Sequence, residues 1–163
     1  MLLEKMVVDW TTIYSYPDSL DYLTNCVIYI SISNFNILKQ KINADINSSS
    51  RGNREHIIKR YNSFIRFVKK HSKKLNEHVM QTDELIYNEK NNSYIVVVKD
   101  VKDVRLLSKS LEEVYFEDYE NETIFVAISE ESQILTGSDL IMELIEENEL
   151  PIFIVDIRKL NII

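Results

Sequence analysis

Glycine and proline are both scarce in this sequence of 163 residues. The chain contains two of each, whereas average usage would give about eleven glycines and about eight prolines. Glycine allows a backbone to approach a phosphate closely or to turn with a positive φ. Because only Gly52 and Gly137 are available, the sequence lacks a P-loop, a dinucleotide-binding fingerprint and a G-x-S-x-G nucleophile elbow. The scarcity of glycine therefore excludes several large classes of enzyme.

Disulfides, long apolar runs and a secretory signal are also missing. The one cysteine, Cys26, has no partner for an internal disulfide and no evident base beside it, so we interpret it as a buried structural residue. Apolar runs such as 26–32 and 94–98 are far shorter than the roughly 20 residues that cross a membrane. The N-terminal segment carries Glu4 and Asp9, where a signal peptide needs an unbroken apolar core. We expect a soluble, cytoplasmic protein without a membrane contact.

The order of hydrophobic patterns predicts an α/β fold in a single domain that spans residues 1–163. Nearly continuous apolar strands separated by amphipathic helices are typical of a mainly parallel sheet with helices on its faces. We expect about four strands, flanking helices and, at 81–92, a possible hairpin partner for the strand that follows. The predicted parts are an N-terminal strand and helix within 1–52 (26–33 and 34–46), a basic helix at 53–80, and a β-α-β-α-β unit at 93–163 with strands 93–99, 123–129 and 151–157 and helices 103–116 and 138–150.

The segment 53–80 has the clearest pattern in the chain, since apolar and basic residues alternate with the period of a helix. Asn53 is a suitable N-cap for one long amphipathic helix, and Phe67 lies at the flank of its charged side, where an aromatic ring can stack on a base. The apolar positions that share one side are Ile57, Ile58, Tyr61, Phe64, Ile65, Val68, Leu75 and Val79. The basic residues predicted to bind a partner are Arg54, Lys59, Arg66, Lys69, Lys70, Lys73 and Lys74.

Charges of opposite sign occupy different parts of the chain, although the net charge is only −7. Nine lysines and arginines lie between residues 51 and 74, while residues 110–150 contain thirteen acidic residues and no basic one. Such asymmetry indicates interaction surfaces rather than a fold. A row of cations can neutralise phosphates, and an acidic face can steer the chain to a basic partner. The alternative is that both are solvated faces of surface helices.

Carboxylates at the predicted strand ends offer a second kind of chemistry. Asp100, Glu130 and Asp156 each follow or end a predicted strand, and ligands bind beyond the carboxyl ends of parallel strands. If the three converge there, they can hold Mg²⁺; otherwise they end strands and cap helices. His71 and His78 are seven residues apart, about 10 Å along a helix, which is too far for one zinc ion.

These observations lead to a preferred function and one alternative. We expect a small non-enzymatic interaction protein, such as a regulator, inhibitor or immunity-type protein of a mobile element or a defence system. It would bind a protein or a nucleic acid through the basic helix, the acidic face or both, without a cofactor, a metal or catalytic residues. The alternative is a Mg²⁺-dependent enzyme that processes nucleotides or nucleic acid with the carboxylates at the strand ends.

Overall fold

The computed structural model describes residues 3–77, 82–102 and 118–160, and within these ranges the chain forms one six-stranded sheet. The strand order is β3-β4-β2-β1-β5-β6; β3 and β4 are antiparallel, and the other neighbours are parallel. The α/β class, the mainly parallel sheet and the hairpin are confirmed, whereas the expectation of about four strands is wrong. The strands are β1 Glu4–Val8, β2 Cys26–Ser31, β3 Leu85–Asn88, β4 Ser93–Val98, β5 Gln133–Thr136 and β6 Ile154–Asp156.

Seven α-helices flank this sheet in the described ranges. They are α1 Trp10–Ser15, α2 Ile32–Ser48, α3 Arg51–Arg60, α4 Asn62–Lys70, α5 Ser72–Asn76, α6 Asp118–Ser129 and α7 Asp139–Glu147, with 3-10 turns at Ser19–Tyr22 and Ile157–Lys159. Two helix starts are capped by a serine: Ser31 Oγ accepts from the backbone N–H of Asn34, and Ser138 Oγ accepts from that of Ile141. Such caps satisfy backbone donors that the first turn leaves unpaired. None of these helices combines the length and apolar content that a membrane crossing requires.

The basic helix predicted at 53–80 is not one long helix. It is divided into α3, α4 and α5, with breaks at Tyr61 and His71, while 78–80 lie outside the described residues. Both side chains at the breaks turn inward to backbone carbonyls: Tyr61 Oη donates to Tyr14 O at 2.7 Å, and His71 Nε2 lies 3.0 Å from Ile86 O. Each break therefore lies at a residue whose side chain contacts a backbone carbonyl outside the three helices.

The predicted strand at 123–129 is wrong, because these residues belong to helix α6. Residues 123–127 are all buried, and a segment buried on every side has no period that separates a helix from a strand. The strand of this region is β5, which follows α6. The prediction of helix 138–150 corresponds to α7 and that of strand 151–157 to β6. The predicted helix 103–116 lies outside the described residues.

Alternate strand residues point into two apolar layers. On one face, Met6, Ile28 and Ile95 pack with the aromatic rings of α4. On the other face, Val7 and Val96 belong to the cluster formed with α6 and α7. Strands buried on both faces are apolar nearly throughout, as this sequence is. The sheet thus separates the basic helices on one side from the acidic helix α7 on the other.

Candidate functional site

The strand order places a topological switch point between β1 and β5. From β1 the chain adds β2 and β4 on one side, and then crosses to add β5 and β6 on the other. In open parallel sheets, ligands bind in the crevice outside the carboxyl ends of the strands at such a point. The residues that reach this crevice are Asp9, directly after β1, and Thr136, at the end of β5.

A buried carboxylate joins the two strands at the switch point. Asp9 is 0% exposed, and its Oδ1 accepts hydrogen bonds from Thr12 Oγ1 at 2.6 Å and Thr136 Oγ1 at 2.8 Å. Its Oδ2 accepts from the hydroxyl of Thr11. The backbone N–H of Gly137 donates to Thr12 Oγ1 at 3.1 Å. Buried charge is tolerated when it is hydrogen-bonded, and these hydroxyls supply the bonds.

Asn34 connects three helices beside this carboxylate. Its Oδ1 accepts from the backbone N–H of Trp10 at 2.9 Å, and its Nδ2 lies 3.0 Å from Tyr119 O and 3.1 Å from Thr123 Oγ1. The contacts bring the first turns of α6 to the switch point. Glu122 precedes Thr123 there, and its Oε2 is buried without a hydrogen-bond partner among the described residues.

The three carboxylates that could hold Mg²⁺ if they converged do not meet. Asp100 follows β4 and Asp156 ends β6, so three strands lie between them, a separation of about 19 Å. Glu130 follows α6 at the opposite, amino edge of the sheet, where Lys5 Nζ lies 3.4 Å from its carbonyl oxygen. Across the described ranges, no group of three or more His, Cys, Asp and Glu side chains is arranged to hold a metal ion. The three carboxylates do not converge, because the residues before Glu130, which were predicted to be a strand, form a helix.

The exposed cations of α3, α4 and α5 form what we call the basic segment. It consists of Arg51, Arg54, Lys59, Arg60, Arg66, Lys69, Lys70, Lys73 and Lys74, all exposed, and includes every residue predicted to bind a partner. The only acidic residue between them is Glu55. No ion pair joins these cations to a carboxylate within the described parts of the chain. Their charge is therefore directed to solvent there.

Arg66, Lys69 and Lys70 border a cleft of about 550 Å³ between α4 and β3. At its base, the carboxyl group of Asp21 accepts from Ser63 Oγ at 3.1 Å and Tyr87 Oη at 3.3 Å. Burial raises the pKa of Asp21, and these two hydrogen bonds oppose the rise.

Phe67 is not available to stack on a base, contrary to its predicted position beside the charged face. It is 3% exposed, and its ring packs against those of Tyr87 and His71, with centroids 5.7 and 5.1 Å away.

A second cleft lies beside the switch point and was not expected from the sequence. We call it the arginine cleft; its volume is about 620 Å³, and Tyr16, Ser19, Arg60 and Arg158 are among its lining residues. It lies next to the switch point, because its lining residue Tyr16 packs on Gly137, the residue that follows β5. No sequence motif indicates this cleft, since its walls come from α1, α3 and the C-terminal 3-10 turn. For the crevice at the switch point, the sequence offered one signal, which is that Asp9 and Thr136 each come at the end of a short apolar run.

Comparisons of the chain with protein-family models, with curated proteins and with solved structures found no match in any of the three.

Proposed function

We propose that this protein binds nucleic acid through the basic segment. The observation that carries the proposal is the exposure of nine cations on three successive helices, without an ion pair to a described carboxylate. Lysines and arginines that neutralise phosphates release condensed counterions, and this release drives binding that weakens steeply with salt.

The distribution of charge over the molecule supports an oriented encounter with a polyanion. Glu143, Glu146 and Glu147 are exposed on α7, which packs on the sheet face opposite to α4. A net negative protein can approach nucleic acid when its cations are concentrated on one side, because the local field then steers the association.

A nucleic acid fits the basic segment better than an acidic protein does. Protein interfaces have an apolar centre with a polar rim, whereas the described residues of α4 and α5 include no large exposed hydrophobic side chain. Ile58 of α3, 40% exposed, is the one such residue of the segment. Phosphate contacts need no apolar anchor.

The test is fluorescence anisotropy with labelled single-stranded and duplex RNA and DNA at about 50 and about 200 mM salt. We expect the Lys69→Gln/Lys70→Gln variant to bind more weakly than the wild type. Its salt dependence should be shallower by about 1.5 in the slope of log K against log salt, because two phosphate contacts are lost. The matched control is Lys5→Gln/Lys102→Gln, which removes two exposed lysines outside the segment. An absence of binding by the wild type, or an equal loss in both variants, contradicts the proposal.

A second candidate function is cleavage of the bound nucleic acid at the switch point with a divalent cation. The observation that favours it is Glu122, whose Oε2 is buried without a partner among the described residues on the helix that Asn34 ties to the segment after Asp9. Mg²⁺ uses one or two protein carboxylates and completes its shell with water and phosphate oxygens, so a site of three carboxylates is not required.

Gel assays of labelled RNA and DNA with millimolar Mg²⁺ or Mn²⁺ test this candidate. We expect products that disappear in Glu122→Gln and Asp9→Asn, with unchanged affinity for the strand in Glu122→Gln. Thermal melting separates unfolding of the Asp9 variant from loss of chemistry. Intact substrate with wild-type protein and either ion rules the candidate out.

A further inference from the structure

We propose that the arginine cleft binds one unpaired nucleotide of the bound strand, with the base against Tyr16 and the phosphate on Arg60. This inference rests on the proposed binding of nucleic acid and adds to it a preference for single strands and a place for one base. The cleft volume of about 620 Å³ is within the range of about 300–1,000 Å³ typical of small-molecule sites.

The ring of Tyr16 is fixed at the mouth of the switch point. A Cβ added to Gly137 would lie 2.9 Å from Tyr16 Cε2 and 2.9 Å from Ile157 Cγ2, so both side chains pack directly on the glycine backbone. Tyr16 as a whole residue is nevertheless 40% exposed. An aromatic ring that is held in place but partly open is suited to stacking with a base.

Arg60 supplies the uncompensated positive charge of the cleft. It is the last residue of α3, is exposed, and makes a long contact from Nη2 to Ser15 O at 3.4 Å. It has no ion pair within the described ranges. A guanidinium with unused donors is the preferred protein group for a phosphate.

Arg158, on the other wall, has a different role. Its Nε lies 3.0 Å from Asp156 Oδ1 and its Nη2 lies 2.8 Å from Asp139 Oδ1. The hydrogen bonds that Arg158 donates to these two carboxylates raise its pKa, and its charge is balanced. It therefore shapes the wall, while Arg60 remains available for a phosphate.

Two further lining groups favour a nucleotide over a bare phosphate. Ser19 is 2% exposed, and its hydroxyl has no hydrogen-bond partner in the described parts of the chain, which leaves a buried polar group to be satisfied. Asp18 is exposed along the same cleft and can accept from base amino or sugar hydroxyl groups. A paired base, stacked within a duplex, cannot enter between these walls.

The experiment measures the affinity of variants for a short labelled single strand and for a duplex of equal length. Tyr16→Ala is expected to weaken single-strand binding about tenfold, since one stacked base is lost, and to leave duplex binding within about twofold. Tyr16→Phe keeps the ring and should bind like the wild type. The matched control is Tyr22→Ala, at a tyrosine that is 61% exposed outside the lining.

Arg60→Gln is compared with Arg54→Gln, because both arginines belong to α3 and to the basic segment. We expect the two variants to weaken duplex binding equally and Arg60→Gln to weaken single-strand binding more. A strand carrying 5-iodouracil provides an independent readout with wild-type protein, since photocrosslinking and peptide mapping should identify Tyr16.

The outcomes distinguish this inference from the function on which it rests. If the wild type binds and the lysine variant binds more weakly, but Tyr16→Ala and Arg60→Gln behave like their controls, the cleft assignment is wrong and the proposed function stands. Crosslinks confined to residues outside the cleft lead to the same conclusion. If the wild type binds neither strand nor duplex, both are overturned.

Discussion

Asp21 is half-buried at the base of a cleft bordered by lysines and an arginine. Removal of its carboxyl group from water disfavours the charged form, and burial therefore raises its pKa despite the hydrogen bonds from Ser63 and Tyr87. The cations at the rim are directed to solvent, where water screens their effect on the carboxylate. The same exposure leaves them available for an external anion.

This environment predicts a pH dependence of stability. Because the folded pKa of Asp21 is raised, the folded state binds the proton more tightly than the unfolded chain does. Its contribution to stability is therefore complete below the unfolded pKa and is lost as pH rises through the folded pKa. We expect the free energy of unfolding of wild type relative to Asp21→Asn to fall as the pH rises above the ordinary pKa of an unfolded aspartate, about 4.

Urea unfolding of both proteins at pH values below and above this pKa measures the difference. Ser63→Ala removes one of the hydrogen bonds that oppose the rise in pKa, so it should make the total fall in stability with pH larger. A difference that is constant with pH, or one that increases, would show that the carboxylate is not penalised in the folded state.

At the scale of secondary-structure elements, the sequence predicted a helix for α4, where the structure has one, and a strand for α6, where the structure has a helix. The apolar side of α4 was assigned in part from its period: Phe64 is buried against Phe35 as predicted, whereas Phe67 is buried contrary to the prediction. When one face of a helix is exposed to solvent, the period of its apolar residues predicts which face is buried. Helix α6 has no such face over residues 123–127, so its local pattern fits a strand as well as a helix, and only its packing in the tertiary structure distinguishes the two.

The breaks in the basic segment could not be predicted from the sequence either. The side chains of Tyr61 and His71 fit one continuous helix as well as three short ones. The difference comes from their acceptors, Tyr14 O and Ile86 O, which belong to elements 47 and 15 residues away along the chain. The candidate site shows the same dependence: the row of cations was visible in the sequence, whereas the cleft that Tyr16 and Arg60 both line was not.

At the scale of the whole molecule, the sheet is a barrier between two charged sides. The basic helices pack on one apolar layer, and α6 and α7 pack on the other. This separation of charge gives the protein an electric dipole in addition to its net charge. The helices on both faces therefore pack against the same strands.

The continuous sheet predicts that the chain unfolds as one cooperative unit. Trp10, the single tryptophan, reports on the switch point through its fluorescence, while far-ultraviolet circular dichroism reports on all helices. We expect coincident transitions with one midpoint in urea, because both apolar layers share the same strands. Separate midpoints would show that the basic helices fold independently, and that residues 1–163 are not a single domain.

The sequence by itself determined the α/β class, the amphipathic face of α4 and the sorting of charge along the chain. These properties depend on composition and on local periodicity, which each segment carries alone. Tertiary structure decided that 123–127 is helical, that the basic segment is broken twice, and that Asp9 meets Thr136, 127 residues away. Those outcomes depend on contacts between distant residues, whose free energies are absent from any local pattern.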